Sequence, residues 1–160
     1  MANNIKERTL VIVKPDAIQR GLFGRIVQRF EEKGLKLVGC KMMALDEAVL
    51  REHYSHLADK PFFGSLARFM QSTPVIVMCW EGLEVVNAVR KLCGITKARE
   101  AEAGSIRGDF AMSMACNVVH ASDSVENGAK EVARFFKEDE IHSYEKSEYM
   151  HVYAEDERGE

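Results

Sequence analysis

A lone histidine follows a short apolar run in the segment Asn-Val-Val-His-Ala-Ser-Asp-Ser, from Asn117 to Ser124. The two valines predict a short buried strand with His120 at its exit, and Asp123 and Glu126 are spaced as a capping box at the start of a helix. This arrangement puts an imidazole, which titrates near neutral pH, at the end of a rigid element where catalytic groups are common. A histidine beside valines is more often a satisfied core residue, so this segment alone leaves both interpretations open.

Three cations near expected strand ends or in the aperiodic region are candidates for binding phosphate: Lys14, Arg90 and Arg107. The sequence contains neither G-x-x-x-x-G-K-[ST] nor G-x-G-x-x-G, so backbone cradles of the familiar kinds are not predicted. Phosphate binding would therefore depend on side-chain cations. Taken singly, each of the three is more typical of a solvated surface charge.

Two further histidines, His53 and His56, are three residues apart on an expected helix. That spacing is compatible with a pair of metal ligands, but no cysteine or carboxylate cluster completes such a site. We therefore interpret both as surface histidines.

The elements that would position these residues follow from apolar runs and turn signals. Strands are predicted at 10–13, 35–45, 75–80 and 118–119, and helices at about 22–33, 46–57, 61–70, 83–93 and 124–136. Lys14-Pro15-Asp16 predicts a turn, and the charged stretch from Gly94 to Phe110 predicts a long functional loop. Strands alternate with helices, which leaves a doubly wound parallel sheet and a ferredoxin-like arrangement both open.

The last predicted helix carries an apolar stripe along one face. Its members share helical spacing and are Val125, Ala129, Val132, Ala133 and Phe136. Glu131 lies away from this stripe, from where it could reach back towards the start of the helix.

Composition limits the class of protein. The 160 residues predict a single domain over 1–160 with an acidic tail at about 155–160, and the net charge of −3 argues against a general nucleic-acid or anionic-membrane binder. The four cysteines are scattered, as is typical of reduced thiols in the cytosol. The polar N-terminus shows no secretory signal, and no apolar run has the length of a membrane-spanning helix. We therefore expect a cytoplasmic protein.

Four segments in order give the chain a recognisable likeness. They are Val13 to Gly21 (VKPDAIQRG), Lys60 to Phe63 (KPFF), Ile106 to Phe110 (IRGDF) and Asn117 to Ser124 (NVVHASDS). Together they resemble the nucleoside diphosphate kinase family over essentially the whole chain, from about Arg8 to Tyr153. Four motifs in the same order around one histidine make the resemblance highly specific.

The resemblance implies an α+β fold of ferredoxin-like βαββαβ type, an antiparallel sheet covered by helices. It also implies transfer of a γ-phosphoryl group from a nucleoside triphosphate to a nucleoside diphosphate by a ping-pong route. His120 matches the residue that carries the phosphoryl group, Glu131 the carboxylate that orients it, and Ser122 a supporting hydroxyl. An imidazole suits this role because its ring nitrogen is a nucleophile at pH 7.

The resemblance further assigns the nucleotide contacts. The residues that match them are Lys14, Tyr54, Phe62, Leu66, Arg90, Thr96, Arg107, Met114 and Asn117. Phe62 would stack on the base, with Leu66 and Met114 completing an apolar slot, so broad base and sugar tolerance is expected. Mg²⁺ would arrive on the nucleotide phosphates, with Asp123 near it through water, and no protein metal site is expected.

The chain departs from the family pattern at a few positions. Ala121 replaces the glycine that commonly follows the histidine, and Lys97-Ala98 and Ala103 replace Asn-Pro and Pro in the long loop. Fewer prolines should loosen this loop. Because the family uses it in subunit contacts, the departures bear on oligomeric state more than on chemistry. We expect a homo-oligomer, a hexamer in preference to a tetramer.

Overall fold

The computed structural model describes residues 5–158, and in it four antiparallel strands form one sheet. The strands are β1 (Glu7–Val13), β2 (Lys36–Met43), β3 (Val75–Gly82) and β4 (Val119–Ala121), in the order β2-β3-β1-β4. Neighbouring strands all pair antiparallel, with Ile12 opposite His120. This order and the helices between the strands confirm the expected ferredoxin-like α+β fold.

Helices cover both faces of the sheet. They are α1 (Pro15–Gln19), α2 (Phe23–Glu32), α3 (Glu47–His53), α4 (Phe63–Met70), α5 (Val85–Cys93), α6 (Ile106–Phe110), α7 (Val125–Phe135), α8 (Tyr149–Val152) and α9 (Glu155–Arg158). Short 3-10 helices span Ala98–Glu100 and Glu138–Glu140. Among residues 5–158, no helix is both long and apolar enough to cross a membrane.

Strand β1 shows why the core has two halves. Its alternate residues Val11 and Val13 join a cluster with side chains of α2, α5 and α6, while Leu10 and Ile12 join a cluster with side chains of α3, α4 and α7. Successive side chains of a strand point to opposite faces, so a strand buried on both faces reads as a continuous apolar run. Since His120 is directly opposite Ile12, it lies on the α3–α7 face of the sheet.

Most predicted elements are present, with shifts at their ends. Asp46 caps α3, accepting from the backbone N–H of Val49 at 2.8 Å. The predicted turn at Lys14-Pro15-Asp16 is the start of helix α1, where proline at the first helical position is well tolerated. The predicted loop from Gly94 to Phe110 contains a 3-10 helix and α6, so its lack of periodicity reflected short elements and not an absence of structure.

The predicted bounds of the strand at the histidine were wrong. Strand β4 is Val119–Ala121, so His120 is its central residue and not its exit. Val118 instead has φ +66, a left-handed conformation that is unfavourable for a β-branched residue. The N–H of Val119 bonds to the carbonyl of Asn117 at 2.8 Å, which closes a three-residue turn around Val118. Ala121 fits the strand without a positive φ.

Helix α7 is rotated relative to the predicted stripe. Its buried residues are Gly128, Glu131 and Phe135, whereas Val125 is 57% exposed. Gly128 explains the rotation, because an added Cβ there would lie 3.1 Å from the carbonyl oxygen of Arg8, so the helix approaches β1 through its glycine. The predicted capping box is also wrong: Ser124 is the cap and accepts from the N–H of Asn127 at 3.1 Å.

Two glycines in helices give a matched test of close packing. A Cβ on Gly108 in α6 would lie 1.9 Å from the backbone oxygen of Glu102, whereas a Cβ on Gly24 in α2 would meet nothing within 4 Å. We expect Gly108→Ala to lower the free energy of unfolding by about 1–3 kcal/mol through overpacking. Gly24→Ala should raise it by about 0.4–1 kcal/mol.

Urea denaturation followed by circular dichroism would measure both. Equal effects of the two substitutions would contradict the close approach at Gly108.

Candidate active site

A cavity of about 580 Å³ opens beside β4 and brings most of the predicted site residues together. Those that line it are Lys14, Tyr54, Arg90, Thr96, Arg107, Asn117, His120, Asp123 and Glu131. Strand β4, helix α7 and residues at or near the ends of β1, α3, α5 and α6 contribute to its walls. The cavity is therefore built by tertiary packing of segments that are far apart in sequence.

His120 and Glu131 form the pair at its centre. Nε2 of His120 lies 2.8 Å from Oε1 of Glu131, and the carboxylate is largely buried. Burial acts to raise the pKa of Glu131, but the hydrogen bond and charge of His120 and a hydrogen bond from Ser122 outweigh it and lower the pKa. An ionised carboxylate only accepts hydrogen bonds, so Nε2 of His120 is the donor and, in the neutral ring, Nδ1 holds the free electron pair.

Ser122 directly follows β4 and does not line the cavity. Its side chain is fully buried, and its oxygen accepts from the N–H of Leu10 at 3.2 Å. Its hydroxyl donates to the carbonyl of Leu10 at 3.5 Å, and its polarity contributes to the lowered pKa of the nearby Glu131 carboxyl. The hydroxyl therefore ties the end of β4 to β1 beside Glu131.

Asn117 joins three segments that border the cavity. Its Oδ1 accepts from Nζ of Lys14 at 2.7 Å, and its Nδ2 donates to the carbonyls of Thr96 at 3.1 Å and Met114 at 3.0 Å. The turn around Val118 fixes the backbone from which this side chain extends. The turn is itself held by a hydrogen bond from the N–H of Val118 to Oδ2 of Asp16 at 3.1 Å. Asn117 thus fixes the direction of the Lys14 ammonium.

Arg107 is buried and holds the backbone around the histidine. Its guanidinium donates to the carbonyls of Asn117 at 3.3 Å, Gly94 at 2.7 Å and Val119 at 2.6 Å. A guanidinium has five N–H donors, so two remain for a ligand. Arg107 therefore both shapes the cavity and supplies it with positive charge.

Positive charge is concentrated in the walls of the cavity. Lys14, Arg107 and the exposed Arg90 all line it. Burial, followed by repulsion from Arg107, lowers the pKa of Lys14 to about 8. A buried ammonium close to a guanidinium is costly without an anion, which indicates that this part of the cavity is suited to bind one.

The remaining predicted contacts lie at different depths. Tyr54 is buried, and its hydroxyl has no hydrogen-bond partner within residues 5–158, so it is available to a ligand in the cavity. Phe62 and Met114 are 52% and 61% exposed, and Leu66 is half-buried. These three apolar side chains do not line the cavity, so the expected slot for a base remains a prediction.

The interpretation of His53 as a surface residue was wrong. Its side chain is 1% exposed, and its ring lies edge-on to that of His120 with centroids 4.5 Å apart. His56, as expected, is exposed. The sequence signal for His53 was its neighbour Tyr54, which already belonged to the site, but the short helix α3 concealed which side of it faces the sheet.

Electrostatics and geometry together define what this arrangement can do. His120 lines a cavity with two buried cations, and its Nε2 is anchored to a carboxylate, which leaves the free electron pair on Nδ1. Such an imidazole is suited to attack an electrophile that carries negative charge, and phosphate esters are the common example.

Comparisons with known proteins agree with this chemistry. A sequence model described as nucleoside diphosphate kinase matches residues 7–141. The chain is 53% identical over 151 residues to a nucleoside diphosphate kinase of Parabacteroides distasonis, covering 94% of this chain and 99% of that one. It is 49% identical over 151 residues to one of Pyrococcus abyssi, covering 92% and 95%.

A solved structure is similarly close. The chain aligns with a halophilic nucleoside diphosphate kinase from Halobacterium salinarum in complex with CDP at 45% identity and a TM-score of 0.90. The alignment covers 93% of this chain and 99% of that one.

The buried ammonium of Lys14 should reduce stability. Its pKa is about 8 in the folded chain, against 10.5 for an ordinary lysine, so at neutral pH folding holds an ammonium where burial disfavours it. Lys14→Met should therefore raise the free energy of unfolding at pH 7 by about 1–3 kcal/mol, after loss of the hydrogen bond to Asn117. The difference should shrink as the pH rises from about 8 to 10.5, because there the unfolded chain binds more protons.

Urea denaturation at pH 7 and at pH 10 would measure this. Lys130→Met is a suitable control, because Lys130 is exposed and pairs with Glu126 on the surface. A destabilised Lys14→Met at pH 7 would contradict the argument.

Proposed function

The chain belongs to the nucleoside diphosphate kinase family, and we propose that it transfers a γ-phosphoryl group by a ping-pong route through a phosphohistidine on His120. The donor would be a nucleoside triphosphate and the acceptor a nucleoside diphosphate. The observation that carries the proposal is the His120–Glu131 hydrogen bond of 2.8 Å, which leaves Nδ1 as the free nucleophile in a cation-lined cavity.

In the first half-reaction, the electron pair on Nδ1 of His120 forms a bond to the γ-phosphorus. The bond from that phosphorus to the bridging oxygen breaks, and the nucleoside diphosphate leaves with the electron pair. Positive charge that develops on the imidazole is stabilised by Glu131. The carboxylate accepts the hydrogen bond from Nε2, and the proton stays on Nε2 throughout. In the second half-reaction, a terminal oxygen of a nucleoside diphosphate attacks the same phosphorus and restores the neutral imidazole.

Cations of the cavity would neutralise the phosphates. Lys14 and Arg90 are placed to contact phosphate oxygens, and Arg107 has donors left after its backbone contacts. Asn117 would act mainly by fixing Lys14, and the buried hydroxyl of Tyr54 offers a neutral donor. Phosphoryl transfer depends mostly on positioning and charge neutralisation, which is what these residues provide.

Mg²⁺ would enter with the nucleotide. Asp123 lies on the wall of the cavity, and hydrogen bonding from Asn127 lowers the pKa of its carboxyl, so a charged oxygen is available for a water-mediated contact. When bound, the ion would neutralise charge on the phosphate oxygens. The cluster of His53, His120 and Glu131 suits Mg²⁺ poorly, because two of its ligand atoms are nitrogens.

Base recognition is proposed to be non-selective. Phe62 is 52% exposed at the start of α4, where its face is available for stacking, and Leu66 and Met114 are the proposed apolar neighbours. Stacking depends on an aromatic face and not on a particular hydrogen-bond pattern, so purines and pyrimidines would both bind. The CDP complex of the Halobacterium salinarum relative is compatible with a site that takes pyrimidines.

We also infer one domain over 1–160 that forms a homo-oligomer, a hexamer in preference to a tetramer. Apolar residues on the outer face of α7 support an assembly, since Val125 is 57% exposed and borders a largely apolar groove with Ala129 and Val132. The four cysteines are free thiols, which supports a cytoplasmic location.

The phosphorylated intermediate gives the central test. Incubation with γ-labelled ATP and Mg²⁺ should put label on the protein that survives base and is lost in acid, and GDP should remove it as labelled GTP. His120→Ala should not be labelled, whereas His151→Ala, which removes an exposed histidine on α8, should be labelled normally. Absence of label on the unsubstituted protein with ATP still bound would favour a nucleotide-binding protein without transfer activity.

Acceptor breadth tests the proposed base site. The labelled protein should transfer its phosphoryl group to GDP, ADP, CDP, UDP and dTDP at rates within about tenfold of each other, since stacking discriminates weakly between bases. Chasing the label with each acceptor in rapid-quench experiments would measure these rates. Transfer to purine nucleotides alone would contradict stacking as the main mode of base recognition.

A further inference from the structure

His53 lines the same cavity and contacts the ring of His120 from the α3 side. It is the last residue of α3, and its ring packs edge-on against the rings of His120 at 4.5 Å, Tyr54 at 4.7 Å and Phe135 at 5.1 Å between centroids. Its side chain is 1% exposed, so these contacts are made in the protein interior. The imidazole of His120 therefore cannot tilt towards α3 without displacing His53.

Arg134 determines which nitrogen of His53 carries the proton. Nη1 of Arg134 lies 3.0 Å from Nδ1 of His53. A guanidinium has donors and no acceptor, so Nδ1 must accept this bond, and a neutral ring then carries its proton on Nε2. Burial, followed by the charges of His120, Arg134 and His56 against the opposing charge of Glu131, lowers the pKa of His53 to about 3, so the ring is neutral at physiological pH.

This tautomer has a direct consequence for Glu131. Nδ1 of His53 is 3.7 Å from Oε1 of Glu131, the same oxygen that accepts from His120 at 2.8 Å. A proton on Nδ1 would need only a small movement of the ring to form a second hydrogen bond to that oxygen. As long as Arg134 occupies Nδ1, this competing bond cannot form.

We propose that His53 is a positioning residue for His120, fixed by Arg134 in the tautomer that packs against the catalytic ring without competing for Glu131. Arg134 is itself held by an ion pair with Glu52 at 3.2 Å, and it lies one helical turn after Glu131 on α7. The inference rests on the proposed function, since it assigns His53 and Arg134 roles in orienting the same nucleophile.

Substitution of Arg134 separates this role from simple packing. In Arg134→Met, Nδ1 of His53 is free to take the proton and donate it to Glu131, the strongest acceptor within reach. Sharing of that oxygen should weaken the hold on His120 and lower kcat by about twofold to tenfold, the effect of losing part of one hydrogen bond. The effect should fall on kcat more than on KM for the acceptor nucleotide, because the His53 side chain is 1% exposed and Arg134 is already engaged by His53 and Glu52.

The second substitution is a rescue. Arg134→Met combined with His53→Phe keeps a ring in the same place but removes the competing donor, so kcat should return towards that of the unsubstituted protein. Arg51→Met is the matched control: it removes the same type of side chain and charge from α3, where Arg51 is exposed and pairs with Glu47. It should leave kcat unchanged.

Two-dimensional ¹H–¹⁵N spectra of ¹⁵N-histidine-labelled protein provide a readout that does not depend on activity. His53 should show a proton on Nε2 in the unsubstituted protein and on Nδ1 in Arg134→Met. A proton on Nδ1 before substitution, or a double variant no faster than Arg134→Met, would overturn the proposal. Failure of the proposed function is a separate result, since it would remove phosphoryl transfer from every variant while leaving the tautomer of His53 measurable.

Discussion

The hydrogen bond between His120 and Glu131 is the interaction on which the rest of the site depends. It joins strand β4 to helix α7 and places a carboxylate where burial would otherwise disfavour its charge. Because an ionised carboxylate accepts only, the bond also decides which imidazole nitrogen is free. The close contact of Gly128 with β1 makes this geometry possible, since it brings α7 near enough for a glutamate to reach the sheet.

A second constraint lies in the backbone just before the histidine. Val118 has φ +66, a conformation that costs a β-branched residue about 1–3 kcal/mol and persists only when the surroundings impose it. Here the surroundings are explicit: Asp16 accepts from the N–H of Val118, and the carbonyl of Val118 accepts from the N–H of Lys14 at 2.9 Å. The strained turn directs Asn117 towards Lys14 while the next residues enter β4, so strain in the backbone is linked to the placement of both the Lys14 ammonium and the His120 imidazole.

The buried cations of the cavity lower the stability of the folded state. Lys14 and Arg107 are both buried, and burial lowers the pKa of each. Arg107 offsets part of this cost with three hydrogen bonds to backbone carbonyls, whereas Lys14 has the side chain of Asn117 and a longer contact with the carbonyl of Ala115 at 3.5 Å. A bound polyphosphate would supply the missing negative charge, which is the usual reason for such unfavourable groups in a binding site.

The sequence by itself determined the strands, most helices and many of the residues that meet in the cavity. Apolar runs such as Leu10 to Val13 predict buried strands because both faces of this sheet are covered, and ordered motifs around His120 indicated the family. The placement of Phe62, Leu66 and Met114 around a base stays a prediction, because a base site is completed by its ligand.

Tertiary structure alone decided which side of each short element faces the site. The stripe predicted on α7 was mostly outside, because close approach at Gly128 outweighs the gain from burying small apolar side chains such as Ala129. His53 looked like a surface residue, because α3 is too short for its spacing to mark an inner face, yet packing of α3 against α7 puts it beside His120. Arg134 meets His53 across 81 positions of sequence. Local patterns record the preferences of neighbouring residues, whereas the charge and tautomer of a buried side chain depend on partners that only folding brings within reach.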